Sequence, residues 1–329
     1  MPSFLVTKQM SPALAARVLA SVTGRRAPSD RRRRPLTAIL RLATLAFVAT
    51  ALLLVLYARH TRSRQLERDR ESLLQTMRDQ ASALTRADHD QRARVEAALA
   101  LHAVAAYAGD LIADELRGDA VLAQALAEPM LYIRGPLEGL ASRTRLAQLA
   151  PSSWKDAFVL CLLDPPAQRS EAALKKRARA AFSRDNLPLT AHIERLDPLL
   201  QALPLLGPSW QERVLAADSA SVLSSYRKLF DAAPIAAAVR AAKARQLLAV
   251  MDEAGPPGAP TELDGERPHP VRVVLLDLLS GELLLRFRRD VDPSFISTAA
   301  RAEYASAIDS CALAFDLRQA AATPKTKAL

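Results

Sequence analysis

From Leu36 to Tyr57 the chain carries a single charge, Arg41, and from Leu42 to Ala58 it carries none. At about 1.5 Å rise per residue, a helix of that length covers roughly 33 Å, enough to cross a hydrocarbon core of about 30 Å. Arg41 lies near the entering end, within reach of the headgroups, and Tyr57 stands where an interfacial aromatic belongs. A buried core helix of a soluble protein is one alternative, but such helices are usually shorter and less densely flanked by basic residues. A cleaved signal peptide is another. It fits poorly, because the run exceeds the usual length of about 7 to 15 residues and Tyr57-Ala58-Arg59-His60-Thr61 offers no small-x-small cleavage site. Arg33-Arg34 matches a twin-arginine export signal only in those two residues. The expectation is an uncleaved transmembrane helix over 35–58 that contacts membrane lipid through 36–57.

The formal net charge of +10 is unevenly distributed: residues 1–58 contribute +8, residues 59–150 contribute 0 and residues 151–329 contribute +2. The basicity therefore belongs to the arm over 1–34, where Arg25, Arg26 and Arg31 to Arg34 would face anionic lipid. A nearly neutral domain removes the main electrostatic argument for a nucleic-acid partner. Orientation is less sharply marked. Six Lys/Arg precede the span within fifteen residues and six follow it within twenty. Four contiguous arginines against the membrane favour a cytoplasmic arm and an extracytoplasmic C-terminal domain in a cell (inner) membrane, and the inverted arrangement stays open.

Ser11-Pro12 opens a short helical pattern up to Gly24, with Leu14, Val18 and Val22 on one face. Residues 59–108 contain neither proline nor glycine and read as one continuous juxtamembrane helix. Leu66, Leu73, Met77 and Leu84 trace a partial heptad interrupted by Arg70 and Gln80, so the helix is either a weak coiled-coil stalk that forms a homodimer or a helix packing on its own domain. A soluble α+β domain follows over 109–319, with an exposed Pro/Gly-rich loop at 255–270 and a frayed tail at 320–329.

Within that domain, Met130–Arg134, Ala157–Asp164, Val271–Asp277 and Glu282–Arg288 have strand character. FVLCLLD is apolar throughout, as in a central strand, and Leu278-Leu279-Ser280-Gly281 suits a hairpin turn. Ser170–Arg184, Leu189–Leu203, Trp210–Ala217, Ser219–Ala232 and Pro234–Glu253 carry helical spacing, and Ser297 or Thr298 caps a helix to Leu317. The predicted fold class is α+β: a single transmembrane helix and a juxtamembrane helix, then a mostly helical domain with a small antiparallel sheet of three to five strands.

The search for chemistry is mostly negative. No phosphate-binding, nucleophile-elbow or zinc-protease motif occurs, and His60, His89, His102, His192 and His269 share no metal-ligand spacing. No catalytic, cofactor-binding or metal residue is assigned, and no cofactor is expected. Asp164, Asp277, Asp290 and Asp292 end apolar runs, where a carboxylate can bind a cation or move a proton, although turns favour Asp for local hydrogen bonds alone. Arg286, Arg288 and Arg289 either bind an anionic partner or pair with neighbouring acids on a strand edge. Cys161 and Cys311 each sit in an apolar run, where a buried free thiol is the commoner state, with a disulfide as the alternative.

The layout resembles that of bacterial bitopic sensors and envelope scaffolds, and no residue motif carries a role across. The leading expectation is a membrane-anchored, non-enzymatic domain that binds a protein or envelope component as a scaffold or accessory subunit. A ligand-sensing module signalling through a partner is the alternative, and a membrane-tethered enzyme using the strand-end aspartates comes last.

Overall fold

The computed structural model describes residues 34–153, 157–181, 189–254, 268–291 and 295–323. The chain divides into two compact units, with the boundary between Gln65 and Leu66. In chain order the helices are α1 (Arg34–Ala81), α2 (Arg86–His89), α3 (Gln91–Val104), α4 (Asp119–Ala125), α5 (Leu137–Leu140), α6 (Arg143–Leu149), α7 (Phe158–Leu163), α8 (Glu171–Ala181), α9 (Leu196–Gln201), α10 (Pro208–Leu215), α11 (Ala220–Ala232), α12 (Ile235–Ala242) and α13 (Thr298–Ala322). The strands are β1 (Leu111–Ile112), β2 (Met130–Pro136), β3 (Ile193–Arg195), β4 (Gln246–Asp252), β5 (His269–Asp277) and β6 (Leu283–Val291).

In the first unit the apolar part of α1 presents its side chains outward all round, with Leu42 69%, Phe47 76% and Leu53 66% exposed. Among the described residues, one helix is long and apolar enough to cross a membrane. The proposed helix over 11–24 lies outside the described residues.

In the second unit the heptad positions of α1 turn inward. Leu73 and Met77 are buried in the domain's own core, and Leu66 and Leu84 pack against it. Arg70, which interrupts the heptad, donates to the Ala217 carbonyl at 2.6 Å, and Arg227 donates to the Asp69 carbonyl at 3.1 Å. The expected continuous helix over 59–108 is interrupted after Ala81. Thr85 and Asp88 form a reciprocal capping box that starts α2, so Thr85-Arg86-Ala87-Asp88 is a helix start in a segment without proline or glycine.

Among the described residues, six strands form one sheet in the order β1-β6-β5-β4-β2-β3. It is mixed rather than antiparallel: β2 runs parallel to both β3 and β4, while β4–β5, β5–β6 and β6–β1 are antiparallel. The β5–β6 hairpin forms as expected. Gly281 takes φ +74° in its turn, a left-handed conformation that disfavours a side chain.

Two apolar runs exchange roles relative to the sequence reading. Ala157–Asp164, taken as a central strand, contains α7, which buries Phe158, Val159, Cys161 and Leu162. The buried strand is β4, inside the segment taken as the helix Pro234–Glu253, and all seven of its residues are buried. Short apolar runs bury equally well as strand or helix, so periodicity alone does not distinguish them. Leu189–Leu203 likewise contains an edge strand, β3, before α9. Ser219 caps α11 by accepting from the Val222 amide, as its sequence suggests. The last helix runs past Leu317 to Ala322, so the first residues of the expected frayed tail are helical.

Each sheet face has its own core. Leu131, Ile133, Leu247, Ala249, Met251, Val274 and Leu276 face a helical layer that includes α3, α9, α12 and the end of α1. Met130, Tyr132, Leu248, Val250, Val271, Val273, Leu275, Leu285 and Phe287 face α4, α7, α8 and α13. Burying both faces explains why β4 shows no polar alternation.

Candidate functional site

Two of the polar clusters among the described residues join several elements of the fold. The first lies between the sheet and α13, at the carboxyl ends of the parallel strands β2 and β4. Arg134 of β2 meets Asp252 of β4 in a bidentate pair at 3.0 and 2.8 Å. The same guanidinium donates to Ser310 Oγ of α13 at 2.6 Å, and the Arg134 backbone amide donates to Ser153 Oγ at 2.9 Å. His269, opening β5, places Nε2 3.4 Å from Asp252 Oδ1. These side chains are 10%, 7% and 3% exposed for Arg134, Asp252 and His269. Burial pushes the Asp252 carboxyl up, and the Arg134 guanidinium, assisted by His269, outweighs it and holds the group below its usual range. A carboxylate committed to both guanidinium nitrogens ties β2, β4 and α13 together, which is a structural use of charge.

The second cluster covers the β5–β6 end of the opposite face, where the segment after α3 crosses the hairpin. Three guanidiniums, of Arg272, Arg286 and Arg288, each lie 5.7 Å from the Tyr107 ring centroid. Arg272 donates to the Ala105 carbonyl at 2.7 Å and Arg286 to the Gly109 carbonyl at 2.7 Å. Glu253 accepts from Arg272 and, through both oxygens, from Arg288 at 2.9 and 3.0 Å. Arg289 reaches Asp110 at 2.6 Å, and Tyr107 donates its hydroxyl to the same carboxylate. Burial and the Asp110 hydrogen bond raise the Tyr107 phenol. Burial raises Glu253, but its bonds to Arg288 and Arg272 prevail and lower it. Arg286, Arg288 and Arg289 thus have partners, and these partners come from segments far away in sequence.

The candidate aspartates do not converge. Asp164 follows α7, is largely exposed, and lies 3.3 Å from Arg177. Asp277 Oδ1 accepts from the amides of Leu279 and Ser280, both at 2.8 Å, and from the Ser280 hydroxyl, which closes the hairpin turn. Asp290 lies opposite Pro270, at the other end of the hairpin from Asp277, and Asp292 is outside the described residues. Among the described residues, no group of three or more His, Cys, Asp or Glu is placed to hold a metal ion.

Cys161 and Cys311 are disulfide-bonded, which corrects the expectation of free thiols. The apolar runs correctly signalled burial, but pairing depends on how α7 docks on α13. A concave feature also lies in the helical layer: an open groove of ≈ 580 Å³ between the end of α1 (Thr76, Gln80) and the α11–α12 corner (Phe230, Asp231, Pro234, Ile235). No protein-family model matches the chain, and no curated protein or solved structure matches it.

Proposed function

We propose that this chain is a single-pass membrane protein whose α+β domain binds another protein or envelope component, acting as a scaffold or accessory subunit. The observation that supports it best is the apolar stretch of α1, whose large side chains from Leu42 to Tyr57 stay exposed while the second unit buries two cores of its own. A contiguous apolar surface of that extent needs a lipid or protein environment. The arginine-rich arm favours the cytoplasm for residues 1–34 and the extracytoplasmic side for the domain. Asp164 beside Arg177 and Asp277 in its turn have local structural partners, which removes the motive for a catalytic reading through these two.

Alkaline carbonate extraction of membranes holding the full chain tests the anchor: retention in the pellet is expected, and release to the supernatant would refute it. Photo-crosslinking from exposed domain positions in intact cells tests the binding role. A reproducible adduct with one envelope component is expected, and none from any position would count against it. The groove beside Phe230 favours ligand sensing as a second reading, since its volume falls within the ordinary range for small-molecule sites. A compound library that raises the melting temperature of the full chain, and loses that effect in I235W, would support it.

A further inference from the structure

Cys161 and Cys311 are the chain's only cysteines, and they lie 150 residues apart on α7 and α13. Their Cα atoms are 5.0 Å apart, inside the window that a disulfide requires, and both residues are fully buried. Neighbouring contacts hold the same helices in register. Arg318 of α13 donates to the Leu162 carbonyl of α7 at 3.2 Å, and Phe158 and Leu162 share a core with Ile308 and Leu317. Because both residues are fully buried once the helices have docked, a donor can reach their sulfurs only before α13 closes over α7.

We infer that Cys161–Cys311 is a maturation crosslink, installed during folding by a disulfide-donor protein of an oxidising compartment, and that it assigns the domain to the extracytoplasmic side of the membrane. The inference rests on the anchored reading above and adds a covalent modification that determines its orientation. The chemistry balances without a cofactor. The thiolate of one cysteine attacks the donor disulfide, forming a mixed disulfide and releasing one donor thiol. The second cysteine's thiolate attacks its partner's sulfur in that mixed disulfide and expels the other donor thiol. Two electrons and two protons pass from the chain to the donor, which leaves as a dithiol. Such bonds persist in oxidising compartments and are rare in the cytosol, where thiols are kept reduced.

The test uses the full chain in cells quenched with acid, denatured, and blocked with N-ethylmaleimide before any reductant is added. After reduction, a maleimide-bearing polyethylene glycol reports every cysteine that was oxidised in the cell. The wild type is expected to gain two adducts, C161S and C311S none, and cells lacking the disulfide donor none. Complete blocking of wild-type cysteines in the first step, leaving no adduct after reduction, would overturn the inference. Carbonate extraction of the same membranes separates the two readings. A pelleted chain with blocked thiols sinks the crosslink and keeps the anchor, whereas an oxidised chain in the supernatant sinks the anchor and keeps the crosslink.

Discussion

Replacing Arg134 by Met would remove the cation from a carboxylate that is largely shielded from water. Asp252 is 7% exposed, accepts both Arg134 bonds, and has the His269 ring nitrogen 3.4 Å away. Breaking one side of a buried ion pair costs about 3–5 kcal/mol, because it leaves an uncompensated charge in a low-dielectric interior. D252L is expected to cost a similar amount, because it leaves the guanidinium buried without its carboxylate. The double variant R134M/D252L exchanges the pair for apolar side chains of similar size, so it should cost less than either single change. The assay is urea unfolding of the full chain in detergent micelles, followed by fluorescence. The pH dependence has a definite sign. The folded Asp252 carboxyl is held below its ordinary value of 3.8, so its contribution is present above that value and is lost as pH falls through the lower folded value. Wild-type stability should therefore stay level near neutrality and fall only below about 3.8, whereas R134M, whose buried carboxyl has lost its cation, should start to regain stability at a higher pH as that carboxyl protonates, so the gap closes from above 3.8 downward. Single variants each costing under about 1 kcal/mol, or a double variant equal to the sum of the two, would refute the coupling.

Other perturbations test the remaining features. C161S/C311S releases a loop of 150 residues, and the chain-entropy relation puts the loss at about 5 kcal/mol; reductant added to the wild type in the same unfolding assay should reproduce it. Y107F removes the hydroxyl that donates to Asp110 and should cost about 1 kcal/mol by thermal melting. Because the Tyr107 phenol is raised in the folded state, its contribution is complete below pH 10 and is lost as pH rises through the folded value, a decline that Y107F should lack. F47R places a charge near the middle of the span at a cost of about 3 kcal/mol, and carbonate-resistant membrane retention should fall accordingly.

Local chemistry was legible where a few adjacent residues decide the outcome. The β5–β6 hairpin is marked by two apolar runs around Ser280-Gly281, and the start of α11 by the Ser219 cap. The capping box Thr85-Arg86-Ala87-Asp88 carried an equally local signal, one obscured by the lack of proline and glycine around it. The β4 and α7 assignments were not legible, because LLAVM and FVLCLL are both short, wholly apolar runs whose conformation depends on what covers them. The heptad of α1 was visible as a pattern, but a pattern does not name the surface that fills it, and here that surface is the domain's own core.

The two polar clusters were less visible still. Arg134, Asp252, His269 and Ser310 share no motif, and strand register and helix docking bring them together across 176 residues. Tyr107 and Glu253 carry no sign in the sequence that they meet the hairpin arginines, for which the sequence suggests an anionic partner or neighbouring acids.

By itself the sequence determined the features that rest on local composition: the apolar span, the segregation of positive charge into the arm before it, the hairpin, and the burial of both cysteines. Hydropathy, charge and turn chemistry act over a few residues and need no knowledge of the rest of the chain. The tertiary structure alone decided that the sheet is mixed, which apolar run supplies its central strand, where the juxtamembrane helix finds its partner, and that Cys161 meets Cys311. Each of these depends on contacts between segments distant in sequence, whose geometry is set by the packing of the whole domain.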